Sequence, residues 1–293
     1  MISTIYDYGT AAAQKAAIAV LRRGRIPQHI GLILDGNRRY AKKAGASDTK
    51  SGHYEGCERL KKVVRFCMEL GIHSITVFGF SIENFKRSEE EVAYLMQLFR
   101  EIFATIPEDE CFAYYKVGMR VCGRLSCLPP DVVELAHEVM DRTKHNTERY
   151  VNVCCAYTSR DEMATAIKEN VHLVEEGEMD IDDITERSIQ NHLFTSRSPP
   201  LDILVRTSGE IRLSDFLLWQ ASDHCQIQIL NCLWPEITFW KILPILLEYQ
   251  IYHDTSRNYN NNNKSVVSGS ITTTSTAAAA AAADDDEGSR SSK

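Results

Sequence analysis

IGLILDGNRRYAKK, residues 30–43, is the stretch on which the chain turns. Ile30 to Leu34 is an apolar run that reads as a short buried strand. Asp35-Gly36-Asn37 breaks it, and helix formers follow from Arg38. An acid therefore stands at the carboxyl end of a strand, just before a helix N-terminus. Open α/β sheets bind their ligands at that edge. Free backbone N–H groups at a helix start favour an anion, and Arg38 and Arg39 add fixed positive charge. A carboxylate in the same place cannot itself receive the anion, but it suits a divalent metal that the anion brings with it. The simplest guest is a magnesium diphosphate. The plain alternative is a strand-to-helix turn with an Asx cap and a solvated basic helix.

The rest of the chain weighs on that choice. Its 293 residues can hold one large domain or two modest ones, and 44% are apolar, enough for a sizeable core. A net charge of −7 argues against nucleic acid as a partner, so local basic clusters point to a small acidic ligand. Nine cysteines without a CxxC pair imply a reducing compartment and no disulfide framework. The first thirty residues show no apolar core with a cleavage site, so no secretory signal is expected. No run is long and apolar enough to span a bilayer. The richest, Trp234–Tyr252, carries Glu236, Lys241, Glu248 and two prolines, and reads as a packed or partner-facing helix.

An alanine-rich helix is expected over Thr10–Arg23, stopped before Gly24. It reads as a plain N-terminal helix in preference to a membrane-surface or pocket-covering one. Ser74–Phe80, Met119–Cys122, Tyr150–Tyr157, Leu201–Val205 and Gln226–Leu230 read as further strands. Tyr54–Leu70, Glu89–Phe103, Asp131–Lys144 and Asp161–Glu175 read as helices. The alternation predicts an α/β fold: one mostly parallel sheet of about six strands with helices on both faces. Residues 1–24 form an N-terminal helical segment, 25–253 one domain, and 254–293 a low-complexity tail expected to be disordered.

Three more clusters fall near predicted strand ends. Ser81-Ile82-Glu83-Asn84-Phe85-Lys86-Arg87 follows the second strand; alone it reads as a polar loop before a helix, with Ser88 and Glu91 as a capping box. Arg206-Thr207-Ser208-Gly209-Glu210-Ile211-Arg212-Leu213-Ser214 follows another, and its arginines can grip phosphate oxygens in pairs. A structural ion-pair role for them is an equal alternative. His53 follows Gly52 and by itself reads as structural. Together these clusters supply more cation than one monophosphate needs; two diphosphates side by side would use it.

HIGLILDGNRRYAKK, Gly52-His53, FSIENFKRS and LVRTSGEIRLSDFLLWQ, in that order, resemble the cis-prenyltransferase family, the undecaprenyl and dehydrodolichyl diphosphate synthases. The likeness spans about residues 25–250, and DGNRRYAKK and WPEITFW are most similar to its eukaryotic dehydrodolichyl branch. The resemblance implies condensation of isopentenyl diphosphate, in cis, onto an allylic primer such as farnesyl diphosphate, giving a long polyprenyl diphosphate for dolichol and protein glycosylation. It implies a hydrophobic tunnel and Mg²⁺ held by Asp35. Gly36, Asn37, Arg38 and Arg39 would cradle the allylic diphosphate. Arg206, Arg212 and Ser214 would hold that of isopentenyl diphosphate. Ser81, Asn84 and Arg87 would organise the reacting ends, with Asp35 and Asn84 catalytic. His53 would touch a diphosphate, and Tyr40, Glu83, Phe85 and Glu210 complete the substrate-binding set.

Three departures from the family pattern stand out. A second metal-suited glutamate of bacterial relatives falls at Cys225. An expected arginine between Lys43 and Gly52 falls at Thr49, beside Lys50. The C-terminal Arg-x-Gly signature is absent after Trp240. The resemblance therefore implies a related non-catalytic partner subunit that supplies it, in a hetero-oligomer at the cytosolic face of the endoplasmic reticulum membrane, with this chain peripheral. Two other readings stay open: a non-catalytic scaffold of the same fold, and an Asp-nucleophile phosphohydrolase. The latter usually needs a second acid two residues after Asp35, where Asn37 stands.

Overall fold

A computed structural model describes residues 2–46 and 48–253, with side chains from residue 11. The chain divides into two units, Met1–Leu247 and Glu248–Lys293. In the second unit the described residues, 248–253, are helical; the tail expected to be disordered lies outside the described residues.

The first unit is built on six strands: β1 (His29–Ile33), β2 (Ser74–Ser81), β3 (Val117–Cys122), β4 (Arg149–Tyr157), β5 (Ile203–Arg206) and β6 (Gln226–Ile229). They form one sheet in the order β3-β4-β2-β1-β5-β6. Every pairing is parallel, so the expectation of a mostly parallel sheet sharpens to a wholly parallel one. The helices are α1 (Ile2–Leu21), α2 (Asn37–Lys43), α3 (Lys50–Leu70), α4 (Glu89–Thr105), α5 (Glu110–Tyr115), α6 (Pro130–Arg142), α7 (Ser159–Glu175), α8 (Glu186–Asn191) and α9 (Leu218–Ala221), with another helix over 239–247. All positions of β1 and β5 are buried, the mark of strands covered on both faces.

Parallel pairing puts every strand's carboxyl end on one edge. From the central β1 the chain crosses to β2 on one side, and β5 returns on the other. The crevice at such a switch point is where open α/β sheets take ligands. Asp35, Ser81, Thr158–Arg160 and Arg206 all arrive there, from four neighbouring strands.

Several boundaries differ from the sequence reading. β5 begins at Ile203, because Asp202 is used elsewhere: its carboxylate accepts the Gln28 and His29 N–H groups at 2.6 and 3.1 Å. The strand then runs one residue further and includes Arg206. The short helices α5, α8 and α9 were not expected, since four to six residues are too few to show a helical period. The Ser88–Glu91 capping box is only half made. Ser88 Oγ accepts the Glu91 N–H at 3.4 Å, but the Glu91 carboxylate turns to Arg87 at 2.9 Å instead of back to Ser88. A charge-assisted bond wins over a neutral one.

Candidate active site

The Asp35 turn is fixed by backbone geometry first. Gly36 has φ 113°, a left-handed conformation that glycine adopts without cost. A Cβ there would stand 2.6 Å from Ser208 Oγ and 3.0 Å from Leu233 Cα. Thr207 Oγ1 donates to the Asp35 carbonyl at 2.6 Å, and the Trp234 N–H donates to the same oxygen at 3.0 Å. On the far side, α2 lies directly on the α3 backbone. A Cβ on Gly52 would meet the Asn37 carbonyl oxygen at 2.1 Å, and one on Gly56 would meet Asn37 Oδ1 at 2.5 Å. Two glycines one turn apart thus set the depth of the Asp35-Gly36-Asn37 turn.

The charges converge around that turn. Arg206 Nη2 donates to Asp35 Oδ2 at 2.8 Å. Its other amino group donates to Ser214 Oγ at 2.8 Å and to the Arg212 carbonyl. The Arg206 side chain is only 4% exposed against 27% for Asp35, so the arginine is the buried anchor and the carboxylate its accessible face. Arg39 reaches Asp35 Oδ1 at 3.3 Å and Glu210 at 3.6 Å, and Glu210 also pairs with Arg212. Across the mouth, Glu91 gathers two arginines and a histidine: Arg87 at 2.9 Å, His53 at 3.4 Å and Arg38 at 3.9 Å. Burial pushes the His53 imidazole below its ordinary proton affinity, while Glu91 opposes the shift. Each of these arginines is aimed by a carboxylate, an arrangement that presents forked donors to a polyanion.

The β2 cluster is organised by its own cap. Ser81 Oγ accepts the Glu83 N–H at 3.2 Å, and Asn84 Oδ1 accepts the Ser81 N–H at 3.1 Å, heading the 3-10 turn Ile82–Lys86. Asn84 Oδ1 is engaged by the cap, which leaves Nδ2 to donate to a guest.

These groups rim a cavity of about 650 Å³. Asp35, Asn37, Arg38, His53, Ser81, Glu83, Asn84, Arg87, Arg206, Arg212 and Ser214 line its mouth. Its depth is apolar, walled by α3, α4 and the sheet through Val64, Leu98, Phe99, Phe78 and Val153, with Phe112 of α5 also in the wall. Gly36, Arg39, Tyr40 and Glu210 stand behind the mouth without lining it. Phe85 packs edge-on against Phe80, centroids 4.8 Å apart, and faces a separate shallow groove.

Arg160 and Asp215 were not singled out in the sequence, and Glu91 was read only as part of a capping box. Arg160 and Asp215 line the same mouth and pair at 2.8 Å. Arg160 follows β4 as Asp35 follows β1, so the strand-end rule already held that signal. Beyond its capping-box spacing, Glu91 carried no signal for the site, being one of three consecutive glutamates opening α4.

Among the described residues no group of three or more His, Cys, Asp or Glu could hold a metal. The donor set does fit Mg²⁺ arriving with its phosphates, since that ion commonly takes one or two carboxylates and completes its shell from substrate and water. Asp35 is such a carboxylate, and it sits between arginines suited to the phosphates. Cys225 does not replace the bacterial glutamate: burial pushes its thiol up to about 12, so it is a neutral SH at pH 7.

The prenyltransferase family model for undecaprenyl diphosphate synthase matches residues 33–257. The chain is 46% identical over 235 residues to the human dehydrodolichyl diphosphate synthase complex subunit DHDDS, covering 80% of this chain and 70% of that protein. It is 41% identical to the Schizosaccharomyces pombe dehydrodolichyl diphosphate synthase complex subunit, covering 80% and 89%. Among solved structures, lavandulyl diphosphate synthase from Lavandula x intermedia, in complex with dimethylallyl diphosphate, superposes with a TM-score of 0.71 at 28% identity, covering 76% of this chain and 95% of that one.

Proposed function

The chain belongs to the undecaprenyl diphosphate synthase family of cis-prenyltransferases, and from that premise we propose that it is the catalytic subunit of a dehydrodolichyl diphosphate synthase. The reaction is cis-prenyl chain elongation: isopentenyl diphosphate units are added to an allylic diphosphate, with farnesyl diphosphate as the proposed primer. The supporting observation is one cavity with an arginine-rich mouth at the carboxyl edge of the sheet and an apolar depth behind it.

The chemistry asks little covalent work of the protein. The allylic C–O bond breaks and diphosphate departs; the isopentenyl double bond attacks the allylic carbon, and a proton is lost to give the cis double bond. The cost lies in charge on the leaving group, which oriented donors in a water-poor site stabilise. Asp35 would hold Mg²⁺ together with substrate phosphate, and the ion, when bound, supplies Lewis-acid stabilisation of the leaving diphosphate. Arg38, the α2 N-terminus and the Gly36-Asn37 backbone face the allylic diphosphate. Arg206, Arg212 and Ser214 take that of isopentenyl diphosphate. Asn84 Nδ2 and Arg87, fixed by the Ser81 cap and by Glu91, lie where the two substrates' reacting ends meet. The apolar depth excludes water and receives the growing chain.

Sequence and relatives also support a complex. The Arg-x-Gly signature is missing, and the human and fission-yeast relatives are named as complex subunits. The proposal is that a related non-catalytic subunit supplies the signature, with the assembly peripheral at the endoplasmic reticulum membrane. No helix among the described residues is long and apolar enough to cross a membrane. The test is incorporation of labelled isopentenyl diphosphate onto farnesyl diphosphate with Mg²⁺, using the chain alone and then with candidate partners. Long-chain product only with a partner supports the reading. Robust activity alone removes the partner proposal, and no activity with any partner moves the chain to the scaffold class.

A further inference from the structure

We propose that Asp215 and Arg160 are positioning residues that hold Ser214 and Arg206 in the geometry that grips a substrate diphosphate. The inference rests on the function proposed above and assigns these two residues a part in it.

The segment after β5 returns to the site in an unusual backbone state. Ser214, Asp215 and Leu217 have φ of 53°, 61° and 48°, all left-handed, and none is glycine. Side chains are rarely found there, and such residues persist only where the surroundings over-determine them. What over-determines them here is the turn between β4 and α7. The Asp215 carbonyl accepts the Ser159 N–H at 2.7 Å. Asp215 Oδ1 accepts the Arg160 N–H at 3.1 Å, and Oδ2 accepts Arg160 Nε at 2.8 Å. Farther along, the Leu218 N–H donates to Ser159 Oγ at 2.9 Å, and Ser159 is wholly buried. Four hydrogen bonds therefore tie 215–218 to 159–160.

The tie reaches the chemistry through one neighbour. Ser214 precedes Asp215, and its Oγ accepts Arg206 Nη1 at 2.8 Å; the Arg212 carbonyl accepts the same amino group. These contacts orient the Arg206 guanidinium, whose other amino group meets Asp35 at 2.8 Å. If the Asp215 tether is cut, the left-handed run has less to hold it, and Ser214 and the Arg212 carbonyl turn away from Arg206. Arg160 is 76% exposed on its side chain. An ion pair so placed adds little to global stability, which leaves orientation of the loop as its effect.

The experiment uses the full chain, with its partner subunit if activity requires one. Asp215→Ala, Asp215→Gly, Asp215→Asn and Arg160→Ala are compared by steady-state kinetics, by calorimetric titration with inorganic pyrophosphate, and by thermal melting. Asp215→Ala and Asp215→Gly are expected to raise the KM for isopentenyl diphosphate and the pyrophosphate Kd about tenfold, with the farnesyl diphosphate KM changed less than twofold. Arg160→Ala moves the same quantities by a smaller factor. Asp215→Asn, which keeps an acceptor for the Arg160 N–H and tolerates the left-handed state, recovers most of the loss. A glycine variant equal to wild type overturns the proposal, because it would show that only backbone conformation mattered. Equal shifts in both KM values, or a lower melting temperature with unchanged KM, overturn it as well. If the wild-type assembly does not elongate farnesyl diphosphate, the functional reading fails and the pyrophosphate titration alone decides. A tenfold weaker Kd in Asp215→Gly upholds the tether; an unchanged Kd, or no binding by the wild type, refutes it.

Discussion

Replacing Gly52 by alanine should disable the site from outside it. The added Cβ would lie 2.1 Å from the Asn37 carbonyl oxygen and 3.1 Å from Ala41 Cβ. A carbon–oxygen contact needs about 3.3 Å, so α2 must move away from α3 by roughly 1 Å. The obstacle is backbone, which cannot swing aside as a side-chain tip would. Over-packing of this kind costs about 1–3 kcal/mol. At roughly 2–4 °C per kcal/mol for a domain of this size, the melting temperature should fall by several degrees. The larger effect is on turnover. Asn37 follows Asp35 and Gly36 directly, so the displacement passes into the anion-binding turn, and a misplacement of about 1 Å can cost on the order of a hundredfold in rate. The control is Gly45→Ala, which adds a Cβ with nothing within 4 Å at a φ of 77°. It should lose about 1 kcal/mol of stability from backbone strain alone and keep its turnover. Thermal melts and initial rates of isopentenyl incorporation on both variants decide. Wild-type melting and turnover in Gly52→Ala, or an equal loss of turnover in Gly45→Ala, would refute the close-packing argument.

Asp35→Ala is expected to lower turnover by at least about a hundredfold while circular dichroism shows an intact fold, because Arg206 keeps Ser214 and the Arg212 carbonyl as partners; near-normal turnover would sink the metal assignment. Glu91→Gln removes the charge shared by Arg38, Arg87 and His53, and about tenfold lower turnover is expected, the size of one charge-assisted bond. Since Glu91 is the main influence raising the His53 pKa, that imidazole should titrate lower still in the variant; an unchanged NMR titration would contradict the contact. His29 gives a pH dependence. It is buried, bonded to Thr76 Oγ1 at 2.7 Å and the Pro199 carbonyl at 2.8 Å, and burial lowers its pKa from 6.5 to about 4. The unfolded chain takes the proton first as pH falls, so the stability is present above about 6.5 and is lost toward about 4. By linkage about 2 kcal/mol goes between pH 7.5 and pH 5. Denaturant midpoints of wild type and His29→Gln across that range should diverge accordingly, and parallel curves would count against it.

Scaffold and site differ in how far the amino-acid sequence reveals them. Strand and helix alternation is written locally, in apolar runs of four to nine residues and helical periods between them. Those patterns predict the parallel sheet and put Asp35, Ser81 and Arg206 at strand ends. The local half of the site is equally plain: an acid, a glycine and two arginines within five consecutive positions. Tertiary structure alone decided which strand ends are neighbours. Asp35 and Arg206 are 171 residues apart and meet because β5 pairs with β1. The same holds for Glu91 beneath Arg38, Arg87 and His53, for Arg160 against Asp215, and for Asn37 laid against Gly52 and Gly56. A charge carries no periodicity, and its partner depends on the sheet order and on how closely two backbones approach. Sequence patterning thus determined the fold and where the site would form, while three-dimensional packing determined which side chains hold one another there.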